Sequence, residues 1–295
     1  MTARPSSPRW TVGGLAAEGS RRLAGPKNSA AGLEARVLLR RFLGLTELEI
    51  LAYPERPVPD SSARRYLRRI ERRISGVPFA YILGEREFWS LPLLVGPGVL
   101  IPRPETETLV QAVLDEAEEG PLLLADIGTG SGAVALALAS ELREARILAT
   151  DSSPAALRTA GRNAARLGLA NVELLRGDLG EALRGRGLAG RLDAVVSNPP
   201  YVRESDWAGL QPEVRDHEPK AALVPGPTGL EIIGRLIAGA PEWLRTGGRL
   251  YLEIGRGQAR AARALFGSGW SEVRTRRDLA GIIRVITARW GGESV

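Results

Sequence analysis

The sequence predicts an α/β protein: a mainly parallel, doubly wound sheet, preceded by a small α-helical domain and a linking β-hairpin. Three observations carry this. From Pro121 onward, apolar runs of strand length alternate with helix-periodic segments. From Trp10 to Gly84 the periodicity is helical. Between them, "REFWSLPLLVGPGVLIPRPETE" has short apolar stretches punctuated by Pro92, Gly96, Pro97 and Gly98, the pattern of a hairpin. The expected boundaries are a disordered tail over 1–9, a helical domain over 10–84, a hairpin linker over 85–107 and the α/β domain over 108–295.

In the first domain, "AAGLEARVLLRRFLG" is periodic and ends at Gly44, a C-cap residue. "TELEILAY" follows, with Thr46 and Glu49 spaced as a capping box. Prolines in "YPERPVPD" break the chain, and Asp60 or Ser61 starts an Arg-rich helix that runs to about Gly76. In it Leu67, Ile70 and Ile74 share one face, and Arg64 to Arg73 supply a solvated one. After the hairpin, "ETLVQAVLDEAEE" is a helix. Five strands then follow, "LLLADIG", "ARILATD", "VELLRGD", "RLDAVVSN" and "GRLYLEIG", each but the third followed by a helix. Pro154 stands in the first turn of the helix after the second strand. "SEVRTRRD" and "GIIRVITARW" close the chain as a hairpin.

Composition narrows the chemistry. The chain of 295 residues has no Cys, so disulfides, thiolate metal sites and cysteine nucleophiles are excluded. One histidine, His217, removes His-rich metal sites, and no metal is expected. The first 20 residues lack the apolar core of a secretory signal. The most membrane-like stretch, 122–142, carries Asp126 and a glycine cluster and reads as strand, loop and helix. No membrane partner is expected, and the cytoplasm is the expected location. Net charge is +6 and the isoelectric point about 10.2. That balance suits a nucleic-acid or ribosome-associated partner. The only lysines, however, are Lys27 and Lys220, so the excess is nearly all Arg in a chain rich in Ala and Gly, as compositional bias also produces.

The chemical motifs fall at strand C-termini, where doubly wound sheets bind ligands. "DIGTGSG", Asp126 to Gly132, joins the first strand of this domain to its helix. Gly128, Gly130 and Gly132 permit a tight turn and close backbone approach to a ligand, flanked by Thr129 and Ser131. The loop alone does not separate a dinucleotide site from other nucleoside sites. The next strand ends in Asp151, 19 residues after Gly132, placed to accept hydrogen bonds from a ribose diol. Asp178 ends the third strand, either to accept an adenine amino group or to cap a helix. The fourth strand ends in Asn198, Pro199, Pro200 and Tyr201. Asn198 both accepts and donates. The prolines fix φ and free backbone carbonyls from the sheet. Tyr201 offers a flat ring. The set suits a planar N–H₂ group, with one hydrogen on the Asn198 side chain and the other on the Pro199 carbonyl.

"DIGTGSG", Asp151 and "NPPY" together resemble a class I S-adenosylmethionine-dependent methyltransferase acting on an amide or exocyclic amine nitrogen. "NPPY" alone is shared with adenine-N6 and cytosine-N4 methyltransferases of nucleic acids. "GEREFWSLPLLVGPGVLIPRPETE" and "EVRDHEPKAAL" resemble the HemK/PrmC family of release factor glutamine N5-methyltransferases, and the resemblance runs from about Trp10 to Trp290. It implies a Rossmann-like seven-stranded sheet with one antiparallel strand and a methyltransferase domain over 108–295. It implies that Asp126, Gly128, Thr129, Gly130, Ser131, Gly132, Asp151, Asp178, Leu179 and Asn198 bind S-adenosyl-L-methionine, giving S-adenosyl-L-homocysteine as product. Leu179 stands where some relatives place a tryptophan beside the adenine. It further implies that Asn198, Pro199, Pro200 and Tyr201 hold the glutamine of a release factor's Gly-Gly-Gln motif, with Asn198, Pro199 and Tyr201 catalytic, in translation termination. Arg103, Glu105 and Glu107 would order the hairpin over the cofactor. His217 reads as a surface or lid residue. The rival readings are a nucleic-acid methyltransferase, a non-catalytic binding module and an NAD-dependent dehydrogenase.

Overall fold

Continuous apolar runs along the central strands require both faces of a sheet to be covered, and the computed structural model shows how. It describes residues 10–25 and 28–292; the expected tail over 1–9 lies outside them. The chain divides into two compact units, residues 1–84 and 85–295.

The first unit holds β1 (Trp10–Thr11), α1 (Val12–Leu23), α2 (Ala31–Leu43), α3 (Glu47–Ala52), β2 (Pro57–Val58), α4 (Asp60–Ile74) and α5 (Phe79–Leu83). Gly44 ends α2 in the left-handed conformation at φ 68°, and Thr46 with Glu49 forms the reciprocal capping box that opens α3. The β1–β2 ladder of two residue pairs, Trp10 with Val58 and Thr11 with Pro57, has no signal in the helical periodicity. Helix α4 buries Ala63, Tyr66 and Ile70. Ile74 is 56% exposed while Leu67 still packs partly on the core, so the apolar face is turned only slightly from the one expected. The reason is Tyr66, whose hydroxyl donates to the Ala35 carbonyl at 3.2 Å and draws that face inward. Gly19 makes room for it: a Cβ there would come within 1.9 Å of the Tyr66 hydroxyl oxygen.

The second unit begins with a hairpin, β3 (Glu85–Phe88) and β4 (Leu91–Leu94). Its two-residue turn holds Trp89 and Ser90 at positive φ, a conformation usually left to glycine or asparagine. Glu107 accepts the Trp89 backbone N–H at 2.9 Å, and Glu141 accepts the Trp89 indole N–H at 2.7 Å, fixing the turn from outside. Then follow α6 (Glu107–Leu114), β5 (Leu123–Ile127), α7 (Ala133–Glu141), β6 (Arg146–Asp151), α8 (Pro154–Leu167), β7 (Val172–Arg176), β8 (Leu192–Ser197) and α9 (Pro212–His217). The unit ends with α10 (Glu231–Gly239), β9 (Leu244–Glu253), α11 (Ala259–Arg263), β10 (Trp270–Arg277) and β11 (Ile283–Trp290). Helix α6 stops sooner than its pattern suggests, and α11 is a short piece of the expected helix.

The seven-stranded sheet has the order β10-β11-β9-β8-β5-β6-β7. The pairs from β9 to β7 are parallel, and β11 runs antiparallel to both neighbours. Leu124, Ala194 and Val196 face one core with α6 and α7. Ala125, Ile127 and Val195 face the other with α10 and Trp243. Seven of the nine residues of α7 are buried, which suits a helix apolar on all sides. The chain moves outward from β5 through β6 to β7, then returns to place β8 on the other side of β5. That reversal opens a crevice beyond the carboxyl ends of β5 and β8.

Candidate active site

The segment after β5 turns back on itself because Gly128 and Gly130 adopt φ of 79° and 59°, which side chains rarely tolerate. A Cβ at either position would meet nothing within 4 Å, so this backbone lies open to an approaching ligand. Gly132, also at positive φ, serves packing instead. Its Cβ would come 2.9 Å from Leu136 and 3.2 Å from Ala160, so α7 and α8 approach closely there.

Two carboxylates pin the loop. Asp126 is buried, accepts the Thr129 hydroxyl at 2.7 Å and the Ala135 N–H at 3.1 Å. Burial pushes its carboxyl up to about 6, against the pull of those two bonds. Asp151 accepts the Gly130 N–H at 2.9 Å through one oxygen and the Ser153 N–H at 2.8 Å through the other. A carboxylate has about four acceptor sites, so Asp151 keeps capacity for a diol.

These groups line a cleft of about 300 Å³. Asp126, Gly128, Thr129, Gly130, Ser131, Asp151, Asp178, Leu179, Asn198 and Pro200 all contribute to its wall. Gly132, Pro199 and Tyr201 are not on that wall. Asp178 makes no side-chain capping bond; its carboxylate pairs with Arg235 at 2.5 Å. Leu179 takes φ 48°, uncommon for a leucine, and its carbonyl accepts the Thr150 hydroxyl at 3.2 Å. The open glycine backbone, an acid with spare acceptor capacity and an adjoining apolar wall fit an adenosine-bearing cofactor.

The opposite edge follows β8. Asn198 Nδ2 donates to the Thr106 hydroxyl at 3.1 Å, which leaves Oδ1 as the group free to accept. The Tyr201 hydroxyl donates to Glu253 at 3.1 Å, and its carbonyl accepts Gln258 Nε2 at 2.9 Å. Gly229 approaches that same carbonyl so closely that a Cβ would lie 2.4 Å from it. Tyr201 is therefore clamped at both ends. Burial first, and the Glu253 charge second, push its phenol above the ordinary range, so it remains a donor.

Sequence reasoning set the hairpin over the cofactor but did not name the residues that line this roof of the cleft, nor the segment after α9 that meets them. Gly98, Val99, Leu100 and Pro102 come from the segment after the hairpin, and Pro219, Ala221 and Ala222 from the segment after α9. Buried Glu218 joins them, accepting Arg103 at 2.6 Å and the Ile101 N–H at 3.0 Å. Alternating Gly and Pro around Val99 marked the first segment as irregular, but nothing local named its partner. Glu107 holds the hairpin turn rather than the cleft, and Glu105 lies 3.9 Å from Arg284. His217 ends α9, half-buried, and is not on the cleft wall. Among the described residues, no three His, Asp or Glu side chains are grouped to hold a metal. None of the described helices is long and apolar enough to cross a membrane.

Residues 15–84 match the PrmC N-terminal domain family, and 124–217 match a methyltransferase domain family. The release factor glutamine methyltransferase of Nitratidesulfovibrio vulgaris is 41% identical over 96% of this chain and 97% of its own length. That of Moorella thermoacetica is 46% identical over 84% of this chain and 87% of its own. Among solved structures, a methyltransferase from Pyrococcus furiosus superposes with a TM-score of 0.52 at 20% identity, covering 76% of this chain and all of that one. It shares the fold. With a methyltransferase domain matched and identity running over nearly all of both chains, this protein belongs to the release factor glutamine methyltransferase family and is an enzyme of the S-adenosylmethionine-dependent class.

Proposed function

We propose that the protein transfers a methyl group from S-adenosyl-L-methionine to the side-chain nitrogen N5 of the glutamine in the Gly-Gly-Gln motif of peptide chain release factors. The observation that carries this is the Asn198 amide, turned by Thr106 so that an acceptor oxygen remains for the cleft. S-adenosyl-L-methionine, when bound, supplies a methyl group on a positive sulfonium with a good leaving group.

Asp151 and the glycine loop would hold the cofactor's nucleoside end, with Asp178 and Leu179 on the same cleft wall available to its base. An amide nitrogen is a poor nucleophile because its lone pair is delocalised into the carbonyl. Asn198 Oδ1 and the Pro199 carbonyl accept its two hydrogens and aim the lone pair at the methyl carbon. Such positioning contributes several kcal/mol. The nitrogen would take the methyl group from the sulfonium of a bound S-adenosyl-L-methionine, which would keep the electron pair of the broken carbon–sulfur bond, and one amide proton would pass to solvent. As positive charge grows on nitrogen the two oxygens bind its hydrogens more strongly, which stabilises the transition state. Tyr201 acts from behind the wall, holding Asn198 to Pro200 in place.

The helical unit over 10–84 recognises the folded substrate. Arg64, Arg65 and Arg68 are exposed on α4 and suit an acidic face, which speeds encounter. Arg73 and Arg69 have other work, pairing with Glu34 at 3.1 Å and covering the Phe42 ring at 3.6 Å.

The test uses labelled S-adenosyl-L-methionine with intact release factor, a Gly-Gly-Gln peptide, DNA and RNA. Label on the glutamine of the release factor is expected. Label on nucleic acid with release factor unmarked would replace this reading with the nucleic-acid one.

A further inference from the structure

Glu253 ends β9, next to β8 in the sheet, and is 1% exposed. Oε1 accepts the Tyr201 hydroxyl, while Oε2 has no hydrogen-bond partner among the described residues. The Thr106 hydroxyl also stabilises this carboxylate. Thr106 is itself 3% exposed and accepts Asn198 Nδ2. Glu253 therefore stands behind both functional ends of the Asn198–Tyr201 segment. Glu253 is not itself on the cleft wall, but its neighbour Thr106 is.

The direction of these bonds matters. A threonine hydroxyl has one hydrogen to give and lone pairs to accept with. While Glu253 is ionised, its charge favours the Thr106 hydrogen turning toward it, which leaves the Thr106 lone pairs for Asn198. Asn198 then keeps its nitrogen inward and its oxygen toward the cleft. A protonated Glu253 presents a hydrogen of its own, competes for the Thr106 lone pairs and weakens the preference for that amide orientation.

We propose that Glu253 is a positioning residue that, through Thr106 and Tyr201, fixes the Asn198 amide with its carbonyl oxygen toward the cleft. Its kinetic arm, though not its spectroscopic one, rests on the substrate reading above.

The charges around Glu253 make its proton responsive near neutrality. Burial raises its carboxyl to about 7, despite the Thr106 and Tyr201 hydroxyls and the Arg284 guanidinium, which favour the charged form. Glu105, on the turn before α6, opposes it. Arg284 enters from β11 and is held at 3.0 Å by Asp278. Arg103 acts on Tyr201 from the roof segment.

The test follows the side-chain amide resonances of Asn198 in protein labelled with ¹⁵N-asparagine, assigned by their loss in Asn198→Ala. In the wild type they should shift between pH 6 and 8 with a midpoint near 7. Glu253→Gln should abolish that titration, Thr106→Val should uncouple it, and Thr106→Ser should restore it. With release factor as substrate, Glu253→Gln and Thr106→Val should lower kcat roughly ten- to a hundredfold, the scale of a lost bond to a charged acceptor. Their affinity for S-adenosyl-L-methionine should stay within twofold, and Thr106→Ser should recover most of the rate. Asn198 signals that do not titrate in the wild type, or a Glu253→Gln rate within threefold of it, would overturn the proposal. If Glu253→Gln does not fold, the Thr106→Val and Thr106→Ser pair decides by the same readouts. If the wild type leaves release factor unmethylated, the substrate reading falls, and the Asn198 titration alone upholds or overturns the positioning role.

Discussion

The two edges of the cleft are built in opposite ways. On the glycine-loop edge, Asp126 reaches Thr129 and Ala135, three and nine residues away, and Asp151 reaches Gly130, 21 residues away. Three of the four bonds from these two acids go to backbone N–H groups. On the other edge, Asn198 is held by Thr106, 92 residues away, and Tyr201 by Glu253, 52 residues away. Those bonds run between side chains. The first edge binds through a backbone shape that its own short sequence dictates. The second depends on the whole sheet to bring its partners together, and so its chemistry can be adjusted without touching the motif.

Substitutions can break or sharpen this contrast. The largest effect should come from Asn198→Ala, with single-turnover methyl transfer falling roughly 10²–10³-fold, as when one transition-state partner is removed. Cofactor affinity and cooperative unfolding should be unchanged. Asn198→Asp should fail as well, because it places a charge where a neutral amide is expected. A rate within threefold of wild type for the alanine variant would remove the amide clamp. On the opposite edge, Asp151→Ala should weaken S-adenosyl-L-methionine binding roughly ten- to a hundredfold by calorimetric titration. Wild-type affinity there would take Asp151 out of the cofactor site. Reversing Arg64, Arg65 and Arg68 together to glutamate should slow methylation of intact release factor about tenfold and leave a Gly-Gly-Gln peptide nearly unaffected. Equal losses on both substrates would leave that helix no docking role.

The smallest effect concerns stability. Asp126 has its carboxyl raised to about 6 from an ordinary value of 3.8, with burial as the leading cause. In that window the folded state binds more protons than the unfolded one, so stability falls as pH rises through it. Asp126→Asn keeps an acceptor for Thr129 and removes the charge. Urea unfolding at pH 4.5 and 7 should show the wild type losing ground to this variant at the higher pH. A difference independent of pH would mean that Asp126 does not titrate there.

The same contrast explains what the sequence made legible. The glycine loop, Asp151, the Thr46–Glu49 capping box and the mainly parallel sheet rest on short-range spacing or on strand–helix alternation, which a linear reading captures, whereas the count of seven strands came from the family resemblance. Thr106, Glu218 and Glu253 gave no such signal. Thr106 sits in a proline-flanked turn, Glu218 follows the only histidine, and Glu253 ends an apolar strand. Each is an ordinary polar residue in its own neighbourhood and gains meaning from a partner 52 to 117 residues distant. Ile74 erred in the other direction: its spacing matched the apolar stripe, but Tyr66 turned the helix so that Ile74 faces water. Gly132 completed a repeated motif, and only the closeness of Leu136 and Ala160 shows that it works for packing.

Glu218 joins two stretches of chain that meet above the cleft, and its side chain is 1% exposed. Losing Arg103 would strand its charge in a place that water does not reach, at a cost of about 3–5 kcal/mol. Neither stretch can lift alone without that cost. One buried ion pair thus couples two stretches of chain 115 residues apart, so that a substitution in either is felt by the other.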